Sequence, residues 1–105
     1  VEKQQMPLTC VLEPIRMKRY LPNNYDEFRS HVDVTSRTNC TRFLVMFLYL
    51  ANNKNGKTIF PNLDIEIECK QGSLLMFPPM WPWLHAGQKP TRTSKYIMQS
   101  YLHYV

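Results

Sequence analysis

Arg42-Phe-Leu-Val-Met-Phe-Leu-Tyr-Leu50 is the most apolar run in the chain, and its reading decides the fold. Its length suits either a short helix or a buried strand. Val45, Tyr49 and two Phe residues, with the turn-forming stretch Asn52 to Gly56 just after, favour the strand. Working outward, Leu12 to Arg19 reads as a strand interrupted early by Pro14, and Pro22-Asn23-Asn24 as a turn. Phe28 to Val34 is a second strand, followed by a polar loop from Thr35 to Thr41. Beyond the apolar run, Lys57 to Phe60 forms a short strand ending at Pro61. Asp64 to Cys69 alternates Ile65 and Ile67 with Glu66 and Glu68, as a half-exposed strand does. A turn at Gly72 leads into Leu74 to Phe77, then come Trp83 to Ala86 and a closing strand, Lys95 to Tyr104. About eight short strands with tight connections, and no long helical period, predict an all-β sandwich, barrel or jelly roll. Periodicity does not choose among the three.

A chain of 105 residues supports a single domain, here residues 1–105. Hydrophobic residues at 44% and charged residues at 20% describe a globular protein, not a disordered one. Thirteen basic against eight acidic side chains give a formal charge of +5. That balance suits a polyanionic partner, but the basic residues are scattered apart from Arg16, Lys18 and Arg19. The simpler reading is a solvated surface with a positive bias. Cys10, Cys40 and Cys69 are odd in number and lack CxxC spacing, which argues against a disulfide framework or a structural zinc site. Reduced thiols fit a cytoplasmic location. Asn39-Cys40-Thr41 matches a glycosylation sequon formally, with nothing else pointing to secretion. No apolar stretch approaches the ~20 residues needed to cross a bilayer, and no signal peptide opens the chain. Because the first residue is Val1, the chain reads equally as a fragment or a processed form.

The chemistry lies in the histidines. His31 stands two residues before Asp33 in an extended segment, so both side chains can face one ion. A third ligand from a distant strand would complete a two-histidine, one-carboxylate facial triad, which leaves open coordination positions and suits iron(II). An isolated His-x-Asp pair is weak evidence. Here His85 lies 54 residues beyond His31, and Lys95 ten residues beyond His85 opens the last strand.

These elements together resemble the iron(II)- and 2-oxoglutarate-dependent oxygenases, in particular their prolyl 4-hydroxylase-like branch. The resemblance begins at Tyr20-Leu-Pro and runs through His31-Val-Asp33, Arg42-Phe-Leu and Leu48-Tyr49-Leu50. It continues through Asn55-Gly-Lys-Thr-Ile-Phe-Pro61, Gly72-Ser-Leu-Leu-Met-Phe77, His85-Ala-Gly87 and Lys95-Tyr96, in family order over residues 20–105. It implies a double-stranded β-helix of jelly-roll, cupin-like form. It further implies iron held by His31, Asp33 and His85, and Lys95 pairing with the distal carboxylate of 2-oxoglutarate. Tyr49 would donate a hydroxyl to the same carboxylate, Tyr20 would reach the cosubstrate or the substrate, and Thr58 and Phe60 would line the cavity. The implied reaction consumes dioxygen, with ascorbate in a supporting role, and hydroxylates an unactivated C–H bond with release of succinate and carbon dioxide. Asp33 points to hydroxylation, because the halogenases of the superfamily lack that carboxylate. A peptidyl, prolyl substrate is favoured, with nucleic acid as the weaker option.

Two departures stand out. The family often shows Gly-Gly-Glu-Thr where this chain has Asn55-Gly56-Lys57-Thr58. About 19 residues precede Tyr20, so the N-terminal buttress of helices and strands is short or missing, and residues 1–105 could be the C-terminal part of a longer catalytic domain. A non-catalytic jelly-roll module that binds or assembles is the main alternative, and a cupin-like metal protein without 2-oxoglutarate is another. Lys95 with Tyr49 separates the oxygenase from the second of these. Four further residues have competing readings: Trp81 and Trp83 at the substrate entrance or packed in a loop, Arg92 as a substitute anchor, and His103 as structural.

Overall fold

The computed structural model describes residues 6–23 and 28–105. They form nine strands: β1 (Cys10–Leu12), β2 (Arg16–Tyr20), β3 (Phe28–His31), β4 (Arg42–Tyr49), β5 (Asn53–Phe60), β6 (Ile65–Cys69), β7 (Leu74–Phe77), β8 (His85–Gly87) and β9 (Lys95–Tyr104). All pairings are antiparallel, in two sheets. The larger sheet runs β1-β9-β4-β7, with β2 also on β9, and the smaller runs β3-β8-β5-β6. The fold is an all-β double-stranded β-helix. Among the described residues there is no helix long and apolar enough to cross a membrane.

The apolar run is indeed a strand. Along β4, Val45, Phe47 and Tyr49 are buried on the inner face, while Leu44, Met46 and Leu48 on the other face are partly covered. Opposite, β9 turns Lys95, Ile97, Gln99 and Tyr101 inward. Val45, Phe47, Phe60, Phe77 and Tyr101 make one core cluster. Edge-to-face contacts at 5.4 Å (Phe47–Phe77), 4.9 Å (Phe60–Phe77) and 5.8 Å (Phe60–Trp83) order it. Tyr49, Ile97 and Cys69 form a second cluster further along the barrel.

The strand expected over Trp83 to Ala86 is β8, His85–Gly87, and three other boundaries differ from the sequence reading for reasons the structure shows. The strand expected over Leu12 to Arg19 is two strands, β1 and β2, because Pro14 has no N–H to give to a ladder. Between them the Glu13 N–H donates to the Tyr101 carbonyl at 3.0 Å. The strand expected over Phe28 to Val34 ends at His31, since the amides of Asp33 and Val34 turn to the Pro79 carbonyl, at 2.8 and 2.9 Å. The turn expected over Asn52 to Gly56 is instead the irregular start of β5. There Asn53 pairs with Cys69 but Thr58 already pairs with Ile67, so extra residues bulge from the ladder. Of the turn read at residues 22–24, Asn24 lies outside the described residues.

Glu13 closes the seam between the two N-terminal strands. Its carboxylate accepts from Arg42 Nε at 2.6 Å and Nη2 at 3.3 Å, and from His103 Nε2 at 2.5 Å. Its side chain is 14% exposed and that of Arg42 is 16%. Burial pushes the Glu13 carboxyl up, but hydrogen bonds from Arg42 and His103 outweigh it and hold the group below its ordinary value. A carboxyl depressed in the folded state stabilises the fold above its unfolded pKa, and that contribution is lost as pH falls through the folded pKa. Glu13→Gln is therefore expected to cost about 1–3 kcal/mol at neutral pH, judged by urea unfolding. The gap from wild type should close in acid; a gap that stays constant down to pH values below the folded pKa would show that charge plays no part.

Candidate metal centre

The end of β3 and the start of β8 pair so that His31 lies opposite His85, with ring centroids 4.4 Å apart. Asp33 follows in the bend fixed by the two amide bonds to Pro79. His31 Nε2 is 3.5 Å from Asp33 Oδ1, and His85 Nε2 is 3.3 Å from Asp33 Oδ2. One ligand atom from each residue lies within 4.8 Å of the others. Adjacent ligands of an octahedral ion stand about 3 Å apart, so small adjustments would seat one.

Each imidazole is oriented by the backbone. Nδ1 of His31 donates to the Arg29 carbonyl at 2.7 Å, and Nδ1 of His85 donates to the Trp83 carbonyl at 3.0 Å. With the proton on Nδ1, a neutral ring presents its lone pair at Nε2, toward the other two side chains. His85 is fully buried, against Phe77 at 4.7 Å, Phe60 at 5.9 Å and Phe47 at 6.0 Å. That burial pushes its pKa down and favours the neutral ligand form. In its protonated form the more exposed His31 would instead donate from Nε2 to Asp33, and that bond raises its pKa. Burial works against the Asp33 carboxylate, but hydrogen bonds from His31 and Tyr101 hold its pKa down.

Two atoms test whether this is a metal site. Asp33 Oδ2 and His85 Nε2 are buried with no hydrogen-bond partner, although buried polar atoms are normally satisfied. A buried oxygen anion and imidazole nitrogen pointing at one another are what a divalent cation satisfies. The donor set of two imidazoles and one carboxylate fits iron(II). The three residues expected from sequence to share an ion stand together here.

Lys95 is also buried, 2% exposed, at the first residue of β9 and directly across from Tyr20 on β2. Its ammonium stands 5.8 Å from the Tyr20 ring. No carboxylate of the described residues lies within ion-pair distance of it, and burial pushes its pKa down. A buried cation without an anion is costly, and an incoming carboxylate would relieve it. Tyr49 and Thr58 are each 1% exposed and share a hydrogen bond of 2.8 Å between their hydroxyls. Burial pushes the Tyr49 phenol up to about 12, so it stays protonated and can donate.

The departure at Asn55 to Thr58 has a structural explanation. Lys57 pairs with Glu66 on β6 at 3.2 Å, giving the reversed charge a cross-strand partner. A Cβ on Gly56 would stand 2.8 Å from Asn53 Oδ1 and 2.9 Å from Lys95 Cδ. Both neighbours are buried, and Asn53 donates to the Thr93 carbonyl at 2.9 Å, so neither can give way cheaply. Gly56→Ala is expected to lower stability by about 1–3 kcal/mol. Wild-type stability in denaturant would mean that the Lys95 stem is freer than it looks.

The other residues singled out from sequence divide. Phe60 packs on His85, whereas Trp81 is 76% exposed and Trp83 packs against Phe60. Arg92 is exposed beside Asn53, Lys54, Asn55 and Thr93. His103 is bonded to Glu13 and to Thr41 Oγ1 at 2.7 Å, a structural arrangement. Sequence reasoning missed Tyr101, whose hydroxyl donates to Asp33 Oδ1 at 2.7 Å, and Arg42, which donates to the Asp33 carbonyl at 3.1 Å. The signal for Tyr101 was available: counting by twos from Lys95 along a strand brings residue 101 to the same face.

Known proteins resemble this chain to different extents. The viral collagen prolyl hydroxylase of Paramecium bursaria Chlorella virus 1, solved as a complex with 2OG, superposes with a TM-score of 0.80 at 23% identity, over 93% of this chain and 62% of that one. A Pseudomonas putida prolyl-4-hydroxylase superposes with a TM-score of 0.71 at 17% identity, over 87% of this chain and 50% of that one. At these identities the likeness concerns the fold. In sequence, a protein of Acanthamoeba polyphaga mimivirus named "Putative prolyl 4-hydroxylase" is 34% identical, over 81% of this chain but 42% of its own length. The chain thus spans less than half of that relative. The family model for the 2OG-Fe(II) oxygenase superfamily matches residues 15–103, which takes in β2 through most of β9 and every ligand of the candidate centre. By that match, the chain belongs to the 2OG-Fe(II) oxygenase superfamily.

Proposed function

We propose that the chain is the core of a 2-oxoglutarate-dependent dioxygenase that hydroxylates an unactivated C–H bond of a peptidyl, prolyl-type substrate. The observation that carries this reading is the pair of buried, unpartnered atoms, Asp33 Oδ2 and His85 Nε2. His31, Asp33 and His85 would hold iron(II). The bound iron and 2-oxoglutarate supply the oxidising power, with succinate and carbon dioxide as co-products.

The chain's own residues bind, orient and exclude water. Lys95 receives the distal carboxylate of 2-oxoglutarate as a point charge in a low-dielectric pocket, where such a contact is strong. Tyr49 turns its hydroxyl from Thr58 to that carboxylate, and Tyr20 covers the Lys95 ammonium from the opposite strand. Phe47, Phe60 and Phe77 keep water from the buried side of His85. The half-exposed ring of His31 marks the side from which a substrate reaches the centre. The prolyl preference rests on the names of the relatives.

Succinate formation from 2-oxoglutarate, and a mass gain of one oxygen atom on proline-rich peptides, test this reading. Succinate without peptide oxidation would keep the dioxygenase and discard the prolyl substrate. The absence of both from an iron-loaded, folded chain would favour a non-catalytic binding module.

A further inference from the structure

Asp33 is gripped by a hydrogen-bond chain whose direction is fixed. As a carboxylate, Asp33 can only accept, so the Tyr101 hydroxyl spends its proton on Oδ1 at 2.7 Å. The phenol oxygen must then accept from its other neighbour, Gln99 Nε2, at 2.7 Å. That choice turns Gln99 Oε1 away, and it is left buried without a partner in a side chain only 4% exposed. Neither end of the amide is arbitrary: flipping it would set two acceptors against each other. The Arg42 guanidinium lies 3.9 Å over the Tyr101 ring and also holds the Asp33 carbonyl, so ring and bend are fixed by one side chain.

We infer that Tyr101, set by Gln99, is a positioning residue that reserves Asp33 Oδ1 and leaves Oδ2 alone to bind the metal. The inference rests on the metal reading proposed above. Its consequence is a count of coordination positions. A carboxylate bound through one oxygen, with two imidazoles, leaves three of an octahedral ion's positions open. Binding through both oxygens would leave two, enough for a chelating cosubstrate and nothing for dioxygen. A hydroxyl that occupies Oδ1 prevents that.

The test uses Co(II) as a probe with the whole chain. Tyr101→Phe keeps the ring under Arg42 and removes only the hydroxyl. Its Co(II) affinity should fall about 10- to 100-fold, the usual cost of losing an outer partner of a metal ligand. In cobalt-minus-apo infrared difference spectra, the splitting between the two carboxylate stretches should be wide in wild type and narrow in Tyr101→Phe, as Oδ1 joins the ion. Gln99→Met guards against a folding defect. It removes an unsatisfied buried acceptor, so thermal stability should hold or rise while Co(II) affinity falls, a split that a merely structural role would not produce. Wild-type affinity with an unchanged splitting in Tyr101→Phe, or wild-type affinity in Gln99→Met, overturns the inference and leaves the metal reading standing. A wild-type chain that binds no Co(II) overturns both.

Discussion

Asp33→Ala is expected to abolish metal binding and with it all turnover. The substitution removes the one anion among the three ligands and leaves two imidazoles that hold a divalent ion poorly. It also strips Tyr101 of its acceptor at 2.7 Å, so a buried phenol loses its partner. Loss of activity should exceed about a thousandfold, the scale of an interaction worth more than ~4 kcal/mol in the transition state. Thermal stability of the metal-free protein should fall by far less, since Asp33 is also a source of strain in the apo state, with Oδ2 buried and unsatisfied. Calorimetric titration with iron(II) under nitrogen checks the first point and apo-state melting checks the second. An Asp33→Ala protein that binds iron as wild type does would remove Asp33 from the ligand set.

Lys95→Ala should produce the second large effect, and a different one. Iron affinity should stay at the wild-type level, because Lys95 lies beside Tyr20 and Gly56 and is no part of the candidate ligand cluster. Affinity for 2-oxoglutarate should drop by about a hundredfold or more, the cost of losing a buried charge-assisted contact worth roughly 2–5 kcal/mol. The side chain's burial has a second consequence. Removing a cation that no described carboxylate pairs with relieves desolvation in the unliganded protein, so the variant need not be less stable than wild type. Equal cosubstrate affinity in the two proteins would contradict the role given to Lys95. Parallel loss of iron and cosubstrate would mean that the substitution disturbs the whole barrel.

The contrast between these two substitutions reflects what the sequence carried. The candidate cluster was legible because His31 stands two residues before Asp33, and His85, another of the chain's three histidines, lies 54 residues beyond His31. The fold was legible in the apolar run, whose inner face alternates as a strand should. Boundaries were less so. Asn52 to Gly56 has turn chemistry, yet Asn53 is drawn into β5 by its bonds to Thr93, a partner 40 residues away that local reading does not see. The same limit hid the end of β3, since the bend that aims Asp33 is made by the Pro79 carbonyl. Tyr101 and Gln99 went unnoticed for another reason. Both look like ordinary residues of a final strand, and their meaning lies in the direction of a proton shared with Asp33.

The proposed function requires one pocket to hold iron(II) on His31, Asp33 and His85 and 2-oxoglutarate on Lys95. Anaerobic addition of 2-oxoglutarate to the iron(II)-loaded chain tests it most directly, by the weak visible charge-transfer band of the ternary complex. The band should appear in wild type, be absent in Asp33→Ala, and require far more cosubstrate in Lys95→Ala. A folded, iron-loaded wild-type chain that shows no band at saturating 2-oxoglutarate would mean that the pocket does not bind the cosubstrate at the metal.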